Sequence, residues 1–248
     1  MNAVYGLVGK TLKHSFSQKL FNKIFADNKI VAEYHLYEFS QLDIVSFRNF
    51  LADNEAVVGL NVTIPYKKII ISVLDGISDD AAEIGAVNCL KIMRNPLNII
   101  GFNTDWSAFE QSFTPLLQPY HCKALILGTG GVSKAVSYAL DKLNIPYLLV
   151  SRSRRKGSIC YDELNELNFN DYNIIINATP CGMTGFTNEL ETLFPFDKIV
   201  QGTLMYDLVY NPDVTFFMLE GMKRSCIVKN GLEMLNLQAL GSWKIWNG

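Results

Sequence analysis

A short apolar run, Ala124–Leu127, passes directly into Gly128-Thr129-Gly130-Gly131, and a helical stretch to Leu143 follows. Glycine permits the tight turn and lets backbone approach a pyrophosphate. The anion would then rest on the helix N-terminus, where unpaired N–H groups favour negative charge. The pattern departs from G-x-G-x-x-G at its sixth position, Ser133, although a small serine still allows helix to pack closely on strand. Taken alone, the loop is also compatible with an ordinary glycine turn.

The residues that follow sharpen the choice. Tyr147–Val150, Asn173–Ile176, Leu204–Leu208 and Cys226–Val228 are further strand candidates alternating with helical stretches. That alternation predicts a parallel, doubly wound sheet. An NAD site of this kind carries Asp or Glu at the end of the next strand, bonding the ribose 2′-hydroxyl. Here that strand runs into Ser151-Arg152-Ser153, then Arg154, Arg155 and Lys156, with no carboxylate. A guanidinium with hydroxyls suits a 2′-phosphate, so NADP is expected, with Arg152 the strongest candidate. The plain alternative is a solvated basic loop. The third strand ends in NATPCGM, Asn177 to Met183, where the nicotinamide end of a dinucleotide would lie. The crossover from Arg152 to Tyr172 is short, so its helix is expected to shrink to one turn around Tyr161 to Leu167.

The segment up to about Asn103 differs in character. Val4–Val8, Tyr34–Phe39 and Val57–Val62 read as strands, Ser17–Asn28 and Gln41–Leu51 as helices, and CLKIM, Arg94-Asn95-Pro96 and LNIIGF as a hairpin. Four polar clusters sit among them: HSFS (His14 to Ser17), GLNVTIPYKK (Gly59 to Lys68), GAVNC (Gly85 to Cys89) and GFNTD (Gly101 to Asp105). Each has a structural explanation by itself. Ser17 and Asp105 could be helix N-caps, Asn61 and Thr63 turn formers, and Lys67 a surface lysine beside Lys68. Four such clusters on one small segment are harder to explain that way.

Composition narrows the function classes. The 248 residues carry 22 basic and 24 acidic side chains, a net charge of -2, without the basic excess of a nucleic-acid binder. No apolar stretch reaches the length of a spanning helix, and the N-terminal segment lacks the pattern of a cleaved leader, so a cytoplasmic chain is expected. The five cysteines are scattered with no CxxC pair. They suggest neither a disulfide framework nor a metal site, and most are expected to be small buried hydrophobes.

Taken in order, YGLVGKTLKHSFS, NVTIPYK, GAVN, NTD, GTGG, SRS, NATPCGM, YDLVYNP (Tyr206 to Pro212) and NGLEMLNLQAL (Asn230 to Leu240) resemble the shikimate dehydrogenase family over nearly the whole chain. The resemblance implies reversible reduction of 3-dehydroshikimate to shikimate with NADPH, a step of chorismate and aromatic amino acid biosynthesis. It implies that Ser15 and Ser17 hold the substrate carboxylate and that Asn61, Thr63 and Asn88 bind ring hydroxyls. Lys67 and Asp105 would be the catalytic pair, and Gln238 with Tyr210 would close the pocket. Gly128, Thr129, Gly130, Gly131, Val132, Ser151, Arg152, Ser153, Lys156 and Thr179 would take the cofactor, and the backbone of Gly231 would approach the nicotinamide. The implied fold is α/β and two-lobed: a substrate domain of residues 1–103 plus 231–248 and a Rossmann-like NADP domain of residues 104–230, the C-terminal helix returning to the first. A small-molecule substrate is the expected partner, with no nucleic acid, no membrane and no metal, in a monomer or homodimer. Two crossings between the segments suggest a cleft and hinge closure.

Some positions depart from the family pattern. Lys10 stands where Pro is frequent, and Ser17-Gln18 and Phe21 where Ser-Pro and a later His are usual. Cys89 replaces a common Thr, Ala108 a common Gly and Ser151 a common Asn. These bear on fine substrate preference more than on the reaction. Other readings remain open at this point: a quinate/shikimate dehydrogenase using NAD, a methylenetetrahydrofolate dehydrogenase, or a non-catalytic ligand-binding regulator on the same fold.

Overall fold

The computed structural model describes residues 2–13 and 15–248. Its contacts divide the chain into two compact units, Met1–Asp105 with Gln238–Gly248, and Trp106–Leu237. The crossings lie at 105/106 and 237/238, against 103/104 and 230/231 in the sequence-based boundaries.

The first unit is built on six strands: β1 (Ala3–Gly9), β2 (Ala32–Glu38), β3 (Val57–Val62), β4 (Gly76–Ile77), β5 (Cys89–Met93) and β6 (Asn98–Phe102). They are ordered β2-β1-β3-β5-β6-β4. β1 pairs parallel with β2 and β3, β5 pairs antiparallel with β3 and β6, and β4 pairs parallel with β6. The central strand β1 is buried from Tyr5 to Gly9, as a strand covered on both faces must be. Residues Val8, Leu60, Val62 and Leu90 pack with Phe47 and Leu51 of helix α2 (Ile44–Asp53). On the opposite face, Tyr5, Leu7 and Tyr34 pack with Phe21 and Phe25 of helix α1 (Ser17–Asp27) and with Ala239 and Trp246 near the C-terminus. A short helix, α3 (Asp79–Ile84), precedes β5.

Helix ends follow local chemistry. α2 starts at Ile44 rather than at the expected Gln41 because Asp43 caps it, its carboxylate accepting the Ser46 N–H at 2.9 Å. Ser17 opens α1, but the cap position is Phe16, without any capping side chain, so the hydroxyl of Ser17 is left for other work. His14, the first residue of the HSFS cluster, lies outside the described residues.

The second unit carries six parallel strands: β7 (Ala124–Leu127), β8 (Tyr147–Ser151), β9 (Ser158–Cys160), β10 (Ile174–Asn177), β11 (Leu204–Asp207) and β12 (Ile227–Lys229). Their order is β12-β11-β10-β7-β8-β9, and every pair is parallel. β7, β10 and β11 are buried at every residue. Around them lie helices α4 (Asp105–Phe113), α5 (Gly131–Lys142), α6 (Leu190–Leu193), α7 (Phe216–Lys223) and the start of α8 (Leu232–Asn247). The Arg152–Tyr172 crossover holds only the edge strand β9 and two 3-10 turns, Asp162–Glu166 and Phe169–Asp171. This is the predicted doubly wound sheet, with β9 as an addition the sequence did not announce.

The cysteines correct one expectation. Only Cys89 is buried; Cys160, Cys181 and Cys226 are half-buried and Cys122 is exposed. Among the described residues no helix is long and apolar enough to cross a membrane.

Candidate active site

In the first unit the polar clusters converge at the ends of β3, β5 and β6. The side-chain ammonium of Lys67 donates to Asp105 Oδ2 at 2.7 Å. The other carboxylate oxygen of Asp105 accepts from Asn88 Nδ2, also at 2.7 Å. The backbone fixes these groups from behind: the Lys67 carbonyl accepts from Val87 N at 2.7 Å, and the Asn88 N–H donates to the Phe102 carbonyl at 3.0 Å. Asp105 opens α4, and its N–H donates to Asn103 Oδ1 at 3.0 Å. Asn103 therefore takes the local turn role, and the Asp105 carboxylate faces Lys67 instead. Lys67 is not the free surface lysine that its neighbour Lys68 resembles, because only 15% of its side chain is exposed.

Asn61 continues the network. Its Oδ1 accepts from Tyr34 Oη at 2.9 Å, and its Nδ2 donates to Ser242 Oγ at 2.7 Å and to the Asn88 carbonyl at 3.3 Å. Burial holds the Tyr34 phenol well above the ordinary range. Ser15 Oγ accepts the Ser17 N–H at 3.2 Å. Thr104 places its N–H on Asn88 Oδ1 at 2.7 Å and its Oγ1 at 3.0 Å from Asn88 Nδ2. Asn61, Asn88, Lys67 and Asp105 thus belong to one hydrogen-bonded cluster, and Ser15 and Ser17 form a separate pair at the start of α1. Thr63 lies just beyond β3, its N–H on the Val8 carbonyl. Gln238 is half-buried on α8, its carbonyl accepting from Ser242 Oγ. Tyr34, Thr104 and Ser242 are members that the sequence did not single out. The signal for Ser242 was its place one helical turn after Gln238, and for Thr104 its adjacency to Asp105.

An ammonium held by a buried carboxylate is a donor of charge and of a proton to an oxygen that becomes negative. Serine hydroxyls and asparagine amides nearby suit a carboxylated, polyhydroxylated ligand.

In the second unit the strand order reverses between β7 and β10, the point at which doubly wound sheets bind their ligands. The loops after these two strands touch. A Cβ on Gly128, whose φ is +106°, would lie 3.0 Å from Thr179 Cγ2 and 3.1 Å from the Ala178 carbonyl oxygen. A Cβ on Gly130 would meet nothing within 4 Å, so the backbone stands open in front of α5. The Gly130 N–H is bonded by Ser133 Oγ at 3.2 Å, and Ser133 is buried as the glycine pattern requires. This bare, amide-lined turn at the start of a helix fits a dinucleotide pyrophosphate. Thr129, Gly131 and Val132 belong to the same turn and first helical residues.

Ser151 is buried at the end of β8, and Arg152, Ser153 and Lys156 are exposed beyond it. Arg152 reaches Glu189 at 3.3 Å, and Arg154 pairs with Glu163 at 2.5 Å. Thr179 donates to Asn177 Oδ1 through Oγ1 at 2.6 Å, and Asn177 Nδ2 donates to Asp207 at 2.9 Å. Burial raises the Asp207 carboxyl to about 6 against the donors that hold it down. Gly231 packs where a Cβ would fall 2.2 Å from the Leu208 carbonyl oxygen. Tyr210 is half-buried in the same unit, and burial raises its phenol.

The family model for the shikimate dehydrogenase substrate binding domain matches residues 7–90. The shikimate dehydrogenase (NADP(+)) of Caldicellulosiruptor saccharolyticus is 34% identical over 257 residues, covering 97% of this chain and 90% of that protein. The protein of the same name from Methanococcus maripaludis is 35% identical over 264 residues, covering 98% and 91%. Among solved structures, a chorismate mutase/shikimate 5-dehydrogenase fusion protein from Clostridium acetobutylicum superposes with a TM-score of 0.85 at 34% identity, covering 100% of this chain and 91% of that one.

Proposed function

The chain belongs to the shikimate dehydrogenase family, and from that premise we propose that it reduces 3-dehydroshikimate reversibly to shikimate with NADPH, a step of chorismate and aromatic amino acid biosynthesis. The observation that carries the reading in this chain's own residues is the Lys67–Asp105–Asn88 chain of short hydrogen bonds.

NADPH supplies the hydride. The protein's task is to bind the ketone and to satisfy the charge that grows on its oxygen. Lys67 Nζ carries three N–H groups, of which Asp105 takes one among the described residues. The others serve the carbonyl oxygen, first by a charge-assisted hydrogen bond and then by proton transfer to the alkoxide. Asp105 keeps the ammonium in place, and Asn88 keeps Asp105 in place. The pair works as a coupled dyad. Ser15 and Ser17 bind the carboxylate, and Asn61, Thr63 and Asn88 the ring hydroxyls. Gln238 and Tyr210 complete the substrate contacts. Gly128 to Val132, Thr179 and Gly231 bind the pyrophosphate and nicotinamide portions, and Ser151, Arg152, Ser153 and Lys156 the 2′-phosphate. Residues 1–105 with 238–248 form the substrate domain and residues 106–237 the NADP domain of a cytoplasmic monomer or homodimer.

The test is NADP+ reduction with shikimate, with quinate and NAD+ run in parallel. Turnover restricted to shikimate and NADP+ is expected, and Lys67→Ala is expected to lower kcat by about a hundredfold or more with the thermal melt retained. A Lys67→Ala protein with wild-type kcat would overturn the role of the dyad. No turnover of folded wild-type protein with any pairing would overturn the function.

A further inference from the structure

The direction of every hydrogen bond around Asn61 and Asn88 can be worked out, because each amide meets one neighbour of unambiguous character. Asn88 Oδ1 faces the Thr104 backbone N–H at 2.7 Å, which can only donate. Its Nδ2 faces Asp105 Oδ1 at 2.7 Å, which as carboxylate only accepts. Asn61 Nδ2 faces the Asn88 backbone carbonyl at 3.3 Å, again an acceptor alone. Neither amide can be turned over without setting donor against donor or acceptor against acceptor.

With the amides fixed, their hydrogens can be followed. Asn88 Nδ2 gives one to Asp105 and one to Thr104 Oγ1 at 3.0 Å. Asn61 Nδ2 gives one to the Asn88 carbonyl and one to Ser242 Oγ at 2.7 Å. All four amide hydrogens are used inside the protein. Asn88 Oδ1 accepts from Thr104 Oγ1 at 3.3 Å as well as from the Thr104 N–H, so what the pair still offers is the oxygen of Asn61. Asn61 Oδ1 takes one donor, Tyr34 Oη, among the described residues, and a carbonyl oxygen has two lone pairs.

Ser242 completes this arrangement. It is wholly buried, and its own hydrogen goes to the Gln238 carbonyl one helical turn back, at 3.0 Å. Its oxygen is therefore an acceptor for Asn61. We propose that Ser242 is a positioning residue that keeps Asn61 an acceptor towards substrate, so that Asn61 binds only a ring position carrying a hydroxyl donor and leaves Lys67 as the donor for the ring carbonyl. The inference rests on the substrate class proposed above and extends it to how the ring is oriented. A polyhydroxylated ketone placed the wrong way round would set its carbonyl oxygen against the Asn61 amide oxygen, leaving acceptors facing each other in a buried site.

The decisive probes are shikimate analogues in which one hydroxyl other than the one oxidised is replaced by fluorine. Fluorine is similar in size to hydroxyl and cannot donate. For the analogue whose fluorine faces Asn61, wild-type enzyme is expected to show a KM raised by about tenfold or more relative to shikimate. Ser242→Ala releases the Asn61 Nδ2 hydrogen. It is expected to raise the KM for shikimate and to shrink that analogue discrimination by about tenfold, with kcat, the KM for NADP+ and the pH dependence of kcat unmoved. Ser242→Thr, which keeps the hydroxyl, is expected to restore the wild-type ratio. A discrimination ratio unchanged in folded Ser242→Ala would overturn the proposal. If Ser242→Ala does not fold, the wild-type protein decides, because equal KM values for shikimate and all its fluoro analogues exclude an acceptor-only Asn61. Absence of any shikimate turnover by wild-type protein would instead bring down the function on which the proposal rests, an outcome distinct from active enzyme with no discrimination.

Discussion

At the scale of single residues, the two glycines Gly128 and Gly130 separate folding from binding. Gly128 has a φ of +106°, and its hydrogen faces the backbone of the neighbouring NATP loop. Gly128→Ala is expected to cost about 1–3 kcal/mol of stability through backbone strain. Gly130 has an ordinary extended backbone, φ -78° and ψ -170°, and a methyl there would project into open space. Gly130→Ala is expected to keep its unfolding free energy within about 0.5 kcal/mol of wild type and to raise the KM for NADP+ by about tenfold or more, because the methyl would keep the pyrophosphate from the backbone. Thermal melts and cofactor titrations of both variants check this; a Gly130→Ala enzyme with an unchanged KM for NADP+ would move the pyrophosphate elsewhere. The same scale shows where the sequence stops being legible. Lys67 and Asp105 are 38 positions apart, and no local spacing brings them together; only the ordered motifs suggested the pair. Ser242 and Tyr34 escaped notice because a buried hydroxyl and a strand tyrosine have the same appearance in sequence whether or not they meet an asparagine.

At the scale of elements, the strands of the second unit were readable because each is a run of apolar residues that must be buried on both faces, bounded by glycine or polar turns. β4, of two residues, and β9, of three, are too short to carry a periodic signal, and α3 spans little more than one turn. Helix ends were displaced where a side-chain cap decided them, as Asp43 does for α2. The C-terminal helix α8 was implied by the family resemblance, but not the reason for its seat. Trp246 stacks on Tyr5 with ring centroids 4.7 Å apart and donates its indole N–H to the Leu90 carbonyl at 2.9 Å. Gly59 of β3 makes room for it, since a Cβ there would lie 2.5 Å from the indole. The glycine of the GLNVT motif is therefore a packing requirement of α8. Gly59→Ala is expected to destabilise the protein by roughly 1–3 kcal/mol, seen as a lower Tm. A melt indistinguishable from wild type would mean that Trp246 is free to yield.

At the scale of the whole molecule, the pH dependence of stability sums opposing groups, and one buried carboxyl opposes most of the rest. Asp43, Asp75, Glu163 and Glu220 all have carboxyls held below their ordinary values by hydrogen bonds or nearby cations. Their contribution is present above the unfolded pKa and is lost as pH falls. Asp207 has the other sign. It ends β11 with no exposed surface and accepts from Thr215 Oγ1 at 2.5 Å, Asn177 Nδ2 at 2.9 Å and Val209 N at 3.0 Å. Burial still prevails and raises it from 3.8 to about 6. A raised carboxyl binds its proton more tightly in the folded than in the unfolded chain. Its contribution to stability is therefore fully present below pH 3.8 and is lost as pH rises to about 6, a change on the order of 3 kcal/mol. Asn at this position removes the titration while keeping an oxygen for Asn177 and Val209, and its amide can donate to the Thr215 hydroxyl. The unfolding free energy of Asp207→Asn, measured relative to wild type by denaturant titration, is accordingly expected to rise by about 2 kcal/mol between pH 4 and pH 7. The lowered carboxylates are common to both proteins and cancel in that difference. A difference that does not vary with pH would show that the three donors, and not burial, set the state of Asp207.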